Sequence, residues 1–315
     1  MKTGQALVAA IDIGGTKIAG ALVGADDGSL HHRTQRPTPA GADGVSVFAA
    51  VAAVLAELAA GPDWERVELV GLGSAGPVDA VRGLVSPVNI PGWRDFPVVA
   101  RVGGLSGGRP VVLTGDGVAM TAAEHWLGAA RGFDNALCMV VSTGVGGGLV
   151  LGGALYPGPS GNAGHIGHIS VDLDGDPCPC GGRGCLEGLA SGTAIARHAL
   201  AAGWRPADGA AGGTAVAVAA AGRAGDPLAL AAFDRAGQAL AAGIAATATL
   251  VELDVVVIGG GVAQAGELLF GPLRTRLAQY ATLGYVQGLR VRPAELATDA
   301  GLVGAAAAAL RATAR

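Results

Sequence analysis

The sequence carries little charge and has no excess of basic residues. Only 15% of its 315 residues are charged, the net charge is −4, and half of the residues are hydrophobic. A disordered chain would contain less apolar and more charged sequence, and a nucleic-acid-binding protein usually carries a basic patch. The composition therefore excludes a disordered chain and argues against a nucleic-acid partner.

The sequence also lacks long hydrophobic runs and a recognisable signal peptide. Its most apolar stretch, residues 236–251, is rich in Ala, Gly and Thr and falls short of the roughly twenty apolar residues that span a bilayer. Lys2 is followed within ten residues by Asp12, and no small-residue cleavage site follows an apolar region. We therefore expect a cytoplasmic protein without a membrane partner.

Glycine, by contrast, is abundant, with 55 residues in the chain. These glycines follow no three-residue period, which excludes a collagen-like fold. Many of them follow short apolar runs, where a backbone must turn tightly or approach a ligand. The length of the chain predicts two domains or one large α/β unit.

Strands, glycine turns and helices recur in a similar order in both halves of the chain. The pattern predicts strand–turn–strand at 6–24 and 135–156, strands near 67–79 and 110–120, helices at 45–60, within 189–250 and at 301–313, strand–turn–helix at 253–277, and a loop at 205–227. We predict a small α/β domain at 1–114, on which the C-terminal helix at about 301–315 packs, and a larger α/β domain at 115–300.

Three of the four cysteines lie close together beside a histidine, in the order His168, Cys178, Cys180 and Cys185. Zn²⁺ binds such ligands tetrahedrally, and a Cys3His set leaves no position for water. The pattern predicts a structural zinc loop at 168–185 that clamps His165, His168 and Glu187, and free thiols on a surface loop are the alternative. The fourth cysteine, Cys138, lies in an apolar run and is predicted to fill the core.

Three glycine-rich turns follow apolar strands and are candidate phosphate-binding sites. They are DIGGTK at 12–17, STGVGGG at 142–148 and GGGV at 259–262. Backbone amides in such turns form anion-binding concavities, and the third turn is predicted to open a helix whose N-terminal amides could face a nucleotide. DIGGTK does not have the spacing of a Walker A loop. A tight hairpin explains each turn singly, but three turns in two halves favour a nucleotide cleft between two domains.

Asp116 lies between two glycines at the end of an apolar strand, just before a predicted helix. A carboxylate in this position could accept a proton from a substrate hydroxyl. Aspartate is also a common helix N-cap. From the sequence alone, both interpretations stay open.

Together, these motifs resemble those of the ROK family of bacterial sugar kinases and related repressors. The resemblance covers nearly the whole chain and also includes GPVD at 76–79 and NIPGW at 89–93. It implies an actin-like (ribonuclease H-like) ATPase fold, with two α/β domains and a cleft between them. It also implies ATP with Mg²⁺, a structural Zn²⁺ and a homodimer or homotetramer.

The resemblance further implies roles for individual residues. Asp116 would be the general base that takes the proton from the 6-hydroxyl of a hexose or N-acylhexosamine. The residues that would bind ATP or its phosphates are Asp12, Gly14, Gly15, Thr16, Lys17, Thr143, Gly144, Gly260 and Gly261. Those that would contact or border the sugar are Gly76, Asn89, Gly115, His165, His168 and Glu187.

Two positions depart from the glucokinases of this family. Glucokinases usually have Asn in place of Gly115 and Glu in place of His165, and the GHIGH segment around His165 resembles that of bacterial N-acetylmannosamine kinases. An imidazole can donate or accept a hydrogen bond, whereas a carboxylate only accepts. We therefore expect the chain to differ from glucokinases in the sugar that it prefers.

Two further hypotheses compete with a kinase. One is a sugar-sensing ROK protein without catalysis. Repressors of the family carry an N-terminal winged helix-turn-helix, which is not predicted here because the first glycine turn starts at Asp12. The other is a dinucleotide oxidoreductase based on IGGGVAQAG. The region at 277–296 disfavours it, because it gives no convincing version of the acidic residue that such a fold places near the end of its second strand.

Overall fold

The computed structural model describes residues 4–39, 41, 43–206 and 213–314, except for the side chain of residue 297. The first part of the chain forms β1 (Leu7–Ile13), β2 (Lys17–Gly24), β3 (Leu30–Pro37), α1 (Gly44–Ala59), β4 (Val67–Ser74), β5 (Val78–Asp79), β6 (Leu84–Val85), α2 (Val98–Gly103), β7 (Val111–Gly115) and α3 (Asp116–Leu127). The remainder forms β8 (Ala136–Val141), β9 (Val145–Leu151), β10 (Ala154–Tyr156), α4 (Glu187–Ala190), α5 (Gly192–Ala201), α6 (Ala215–Arg223), α7 (Pro227–Val251), β11 (Val255–Gly259), α8 (Glu267–Tyr280), β12 (Arg290–Pro293) and α9 (Ala300–Thr313). Short 3₁₀ turns lie at Trp64–Arg66, Ile166–His168, Val262–Ala265 and Ala297–Asp299.

These elements divide into two compact units. Unit 1 comprises Met1–Arg131, Ala154–Gly164 and Leu296–Arg315, and unit 2 comprises Gly132–Gly153 and His165–Glu295. The sequence predicts a boundary at residue 114, whereas α3 belongs to unit 1 because it packs on the C-terminal helix α9. The contact is close enough that a side chain at Gly304 of α9 would overlap the backbone carbonyl of Ala119 in α3.

Unit 1 is built on a sheet with the strand order β3-β2-β1-β4-β7. The central strand β1 is antiparallel to β2 and parallel to β4, and its nearly continuous burial is typical of a strand covered on both faces. Helix α1 begins after Asp43, whose side chain accepts a hydrogen bond from the Ser46 amide. The helix predicted at 45–60 is therefore confirmed.

The sheet of unit 2 repeats this arrangement with the order β9-β8-β11-β12. Strand β8 is antiparallel to β9 and parallel to β11, as β1 is to β2 and β4. The repeated strand–turn–strand pattern in the sequence predicts this duplication. Cys138 of β8 is fully buried, so its predicted place in the core is confirmed.

Helices cover much of unit 2, including part of the segment predicted as a loop. The loop prediction at 205–227 is wrong for α6, because Thr214 caps that helix by accepting a hydrogen bond from the Ala217 amide and Val218 is buried in the core. Residues 207–212 of that prediction lie outside the described residues. Helix α7 starts at Pro227 after the Asp226 cap and ends where Glu252 adopts a left-handed conformation with φ 51°.

Among the residues that the structure describes, no single helix is long and apolar enough to cross a membrane. Helices α6 and α7 reach the length and composition of a span only as a pair, and that pair is bent by 117°.

Candidate functional site

The first glycine turn joins β1 to β2 and is held in place by Thr38. The Gly14 amide donates to the Lys17 carbonyl at 3.0 Å. The Thr38 hydroxyl donates to the Gly14 carbonyl at 2.6 Å, and the Thr38 amide donates to the Thr16 carbonyl at 3.0 Å. Sequence reasoning missed Thr38, because it lies 24 residues beyond Gly14 and no motif marks it.

Asn89 lies directly over this turn. A Cβ atom at Gly15 would sit 2.6 Å from the Asn89 amide nitrogen, so the missing side chain of Gly15 makes room for that of Asn89. The segment before Asn89 is tied to the GPVD turn, since the Val88 amide donates to the Gly76 carbonyl at 3.3 Å. Unit 1 therefore brings the phosphate-turn candidate Gly15 together with two sugar-side candidates, Asn89 and Gly76.

Asp12 and Asp116, both in unit 1, are close enough for their charges to interact. Burial raises the pKa of the Asp12 carboxyl to about 6, the charge of Asp116 adds to the rise, and Lys17 opposes it. Gly301 packs closely against the Asp12 carboxylate, because a side chain at Gly301 would overlap it. Asp12 is thus a constrained carboxylate whose ionisation a nearby cation would favour.

Asp116 is the first residue of α3, and Gly115 before it is the N-cap. The Asp116 side chain is exposed, and its Oδ1 accepts a hydrogen bond from the Gly117 amide at 2.7 Å. The helix is therefore capped by Gly115, and the alternative in which Asp116 is the N-cap does not hold. The carboxylate lies at the junction of β7 and α3, where it can accept a proton from a bound alcohol.

Gly115 leaves open space beside this carboxylate. A Cβ atom there would meet only the Gly161 carbonyl at 3.5 Å and a Val78 methyl at 3.9 Å. Both distances are ordinary contacts. The missing side chain of Gly115 therefore leaves the surroundings of Asp116 open.

Asn162 fixes the segment that faces Gly115. Its Oδ1 accepts from the Val78 amide at 3.0 Å, and its Nδ2 donates to the Val78 carbonyl at 2.6 Å. This pair of bonds holds Gly161, the neighbour of Asn162, near Gly115. Sequence reasoning missed Asn162, since its partner is 84 residues away.

In unit 2, the second glycine turn joins β8 to β9. The Ser142 amide donates to the Gly144 carbonyl at 2.8 Å, and the Val145 amide donates to Oε2 of Glu187 at 2.8 Å. A side chain at Gly144 would overlap the Glu187 carboxylate. The structure thus brings together Thr143, Gly144 and Glu187, which the sequence assigns to two different ligands.

A cavity of about 740 Å³ opens beside this turn in unit 2, within the usual size range of small-molecule sites. It is lined by residues of the turn, of α5 and α6 and of the GGGV segment, among them Ser142, Thr143, Thr193, Thr214, Gly261 and Val262. Of the predicted nucleotide-side residues in this unit, Thr143 and Gly261 line the cavity. Helix α6 was missed as a wall because its segment was predicted to be a loop.

Gly260 lies at the point where β11 ends against β8. Its φ is +91°, and a side chain would overlap the Val141 carbonyl, so it allows β11 to end close against β8. The residues after Gly261 form the 3₁₀ turn Val262–Ala265, and α8 begins only at Glu267. The prediction that GGGV itself opens a helix therefore holds only for a single 3₁₀ turn.

The predicted metal ligands converge in unit 2. The ligand atoms of all four residues lie within 4.8 Å of one another, and they belong to His168, Cys178, Cys180 and Cys185. The Cys180 and Cys185 sulfurs are 3.7 Å apart, and a tetrahedron with Zn–S bonds of about 2.3 Å has edges of about 3.8 Å. The donor set and its spacing therefore fit a structural Zn²⁺ with no open coordination position.

The thiol chemistry of this cluster also fits a cation. Burial, followed by hydrogen bonding with Cys178 and Cys180, raises the pKa of the Cys185 thiol to about 12. Three neighbouring thiolates are stable together only when a cation neutralises them. Gly184 lets the loop close, because its φ is +63° and a side chain would overlap the Asp172 carbonyl.

His165 lies beside the Cys3His cluster but does not belong to it. Its ring is exposed, and its centroid is 6.0 Å from that of His168, with 25° between the ring planes. Glu187 follows Cys185, the last residue of the cluster, by two residues. The loop therefore carries His165, His168 and Glu187 as the sequence predicts.

Trp93 belongs to the NIPGW segment of unit 1. It is fully buried, and its indole nitrogen donates a hydrogen bond to the Gly44 carbonyl at 2.9 Å, so it packs in the core.

Comparison with known proteins decides which family the chain represents. The ROK family model matches residues 8–312. The chain belongs to the ROK family. It is 36% identical over 307 residues to a glucokinase of Thermotoga maritima, covering 94% of this chain and 95% of that protein. It is 37% identical over 298 residues to an N-acetylmannosamine kinase of Yersinia pseudotuberculosis, covering 94% and 96%.

A solved structure supports the same assignment. The ROK glucokinase from Streptomyces griseus, in complex with glucose and AMPPNP, superposes with a TM-score of 0.82 at 35% identity and covers 95% of this chain and 98% of that chain. The predicted actin-like, ribonuclease H-like α/β fold of this ROK protein is confirmed by this match and by the duplicated sheets.

Proposed function

We propose that this ROK protein is an ATP-dependent sugar kinase that transfers the γ-phosphate to the 6-hydroxyl of a hexose or N-acylhexosamine. The observation that carries the proposal is the exposed Asp116 carboxylate, held by the Gly117 amide at the junction of β7 and α3, in a chain whose relatives are named sugar kinases. Asp116 would take the proton from the acceptor hydroxyl as the oxygen attacks phosphorus.

The nucleotide would bind in unit 2, in the cavity beside Thr143 and Gly261. Backbone amides of the two glycine turns, together with Thr16, would bind its phosphates. Lys17 would add positive charge, and Asp12 would hold Mg²⁺. That cation, when bound with ATP, neutralises charge on the phosphates and thereby stabilises the transition state. A raised pKa suits Asp12 to this role, because a bound cation restores its charge.

The four clustered residues, His168 and the three cysteines, would hold Zn²⁺. With four protein ligands, the ion would not activate water. Its contribution would be to fix the loop that presents His165 and Glu187 to the sugar. Gly76 and Asn89 would border the sugar from unit 1, where they lie beside the first glycine turn.

The open space at Gly115 favours an N-acylated hexosamine over glucose as the acceptor. A Cβ atom at that position would meet no atom closer than 3.5 Å. At His165 an imidazole stands where glucokinases carry a carboxylate, and it can donate a hydrogen bond to an acyl oxygen. A site with altered hydrogen-bond partners discriminates strongly between sugars.

A coupled assay of ADP formation tests the proposal. Metal-loaded protein would be given ATP, Mg²⁺ and, in turn, glucose, mannose, N-acetylglucosamine, N-acetylmannosamine and the 6-deoxy form of the best acceptor. We expect turnover with at least one sugar and none with its 6-deoxy form. Asp116→Asn should lower kcat by about 10²- to 10⁴-fold, whereas Asp26→Asn, at an exposed position on the turn after β2, should leave kcat unchanged. Equal activity of Asp116→Asn and wild type would refute the role of Asp116.

A further inference from the structure

The segment that follows the metal loop is attached to the second glycine turn along its length. Besides the bond from the Val145 amide to Glu187, the Gly192 amide donates to the Ser142 carbonyl at 2.7 Å. The Thr193 hydroxyl donates to the Thr143 carbonyl at 3.2 Å. Residues 187–193 therefore hydrogen-bond to three of the four residues from 142 to 145.

The metal loop also contacts the turn from the other side. A side chain at Gly167, which precedes the ligand His168, would overlap the Val145 carbonyl. The amide of Val145 is held by Glu187, two residues after the ligand Cys185. Both backbone polar groups of Val145 are thus contacted by residues adjacent to metal ligands.

The Glu187 carboxylate lies beside a turn that is proposed to bind phosphates. A carboxylate next to a turn that binds phosphates repels them, so an acidic residue at this point is unfavourable unless it has another task. Glu187 uses Oε2 to hold the Val145 amide at 2.8 Å. Its other oxygen, Oε1, makes no hydrogen bond within the described part of the chain and is free for a sugar hydroxyl.

We infer that Glu187 is a positioning residue for the nucleotide: it transmits the order of the metal loop to the phosphate-binding turn Ser142–Val145, in addition to any contact with sugar. The inference rests on the proposed function, because it assumes that a nucleoside triphosphate binds at this turn. The metal site then governs affinity for the phosphate donor as well as for the acceptor. Loss of the metal should loosen residues 185–193 and, through Glu187, the turn.

The test measures binding of a non-hydrolysable ATP analogue by calorimetry, with Mg²⁺ and without sugar. Glu187→Ala removes the acceptor for the Val145 amide and should weaken binding about five- to tenfold. Glu187→Gln keeps an acceptor and removes the charge, so its affinity should equal or exceed that of the wild type. Glu68→Ala, at an exposed position on β4, is the matched control and should bind like the wild type.

The second part of the test removes the metal. Stripping the metal from the wild type with a chelator should weaken nucleotide binding by a similar factor. In Glu187→Ala the chelator should lower the nucleotide affinity little further, because both changes break the link between the metal loop and the turn. Hydrogen exchange at the Val145 amide should accelerate in both cases. If Glu187→Ala does not fold, the chelated wild type decides the question alone.

The outcomes separate the two claims. If the metal-loaded wild type binds no nucleotide, the proposed function fails and this inference fails with it. If the wild type binds nucleotide but Glu187→Ala and the chelated protein bind it as tightly, only the inference is overturned. Tighter binding by Glu187→Ala would show that the carboxylate acts through repulsion, which also overturns it.

Discussion

The first and second glycine turns, DIGGTK and STGVGGG, have the same place in their sheets but are held by different chemistry. Each turn links an inner strand of its sheet, β1 or β8, to an antiparallel neighbour, with Ile13 opposite Ile18 in unit 1 and Val141 opposite Val145 in unit 2. The first turn is held by the neutral hydroxyl of Thr38, and the second by the carboxylate of Glu187.

The two turns therefore rely on different parts of the chain for their conformation. The turn of unit 1 depends on a short segment that follows β3, with no metal ligand among its described contacts. The turn of unit 2 depends on residues that adjoin the Cys3His cluster, with Gly167 and Glu187 on its two sides. Changes near the Cys3His cluster should therefore disturb the second turn and leave the first intact.

The largest effect is expected at Gly167. A methyl group there would overlap the Val145 carbonyl, which cannot move without breaking the start of β9. We expect Gly167→Ala to lower the free energy of unfolding by about 2 to 4 kcal/mol, measured by urea denaturation. Gly146→Ala is the control, because a Cβ atom there meets nothing within 4 Å.

A glycine-to-alanine substitution in the first turn provides the comparison. At Gly15 a Cβ atom would lie 2.6 to 2.9 Å from Nδ2, Cγ and Cβ of Asn89, an exposed residue. The amide group can rotate aside but the Asn89 Cβ must shift with its backbone, so Gly15→Ala should cost about 1 to 2 kcal/mol of unfolding free energy, less than Gly167→Ala. Equal losses for Gly15→Ala and Gly167→Ala would contradict the idea that the second turn is the more tightly enclosed.

An intermediate effect is expected at Asp12, which has no acidic counterpart in unit 2. Burial raises the folded-state pKa of Asp12 from 3.8 to about 6, so the folded state loses stability as the pH rises from about 4 to 6 and the loss is complete above that range. Asp12→Asn removes this loss. We expect the variant to be about 2 kcal/mol more stable than the wild type at pH 7.5 and the difference to shrink by about 1 kcal/mol at pH 5.

Urea denaturation at the two pH values without Mg²⁺ measures this difference, with Asp26→Asn as the control. Added Mg²⁺ should narrow the gap at pH 7.5 if Asp12 binds the cation, because the wild type alone would gain from it. A gap that does not depend on pH would mean that Asp12 is not the buried acid described above.

A smaller effect is expected at Thr38. Thr38→Val removes the 2.6 Å bond to the Gly14 carbonyl and should lower the free energy of unfolding by about 1 kcal/mol, while Thr38→Ser keeps the hydroxyl and should lose less. A chelator that strips the metal proposed for the Cys3His cluster should lower the stability of Thr38→Val and of the wild type by the same amount. A larger loss in the variant would show that the two turns are not independent.

The sequence predicts the parts of this protein that are local in the chain. Glycine turns mark strand ends, and three cysteines with one histidine mark the metal loop, because each pattern lies within a few residues or one loop. The contacts that hold these parts were missed. Thr38 is 24 residues from Gly14, Glu187 is 42 from Val145 and Asn162 is 84 from Val78. Contacts of this kind form only when the chain folds back, and no periodic pattern records them.

The smallest effect on stability is expected at Gly115, where one of the two departures from the glucokinase pattern can be tested. Its backbone, with φ −70° and ψ 151°, suits any residue, and a methyl group would meet the Gly161 carbonyl at 3.5 Å and Val78 at 3.9 Å. Gly115→Ala should therefore lower the free energy of unfolding by only about 0.5 kcal/mol, because alanine is a slightly poorer N-cap than glycine.

The same methyl group would occupy the space that we assign to the acyl group of the sugar. We expect Gly115→Ala to lower kcat/KM for an N-acylhexosamine about three- to tenfold and to change kcat/KM for glucose little, as measured in the coupled assay. Each sugar serves as the reference for the other, because both are measured with one protein preparation. If both values fell together, the open space at Gly115 would serve catalysis by Asp116 rather than the choice of sugar.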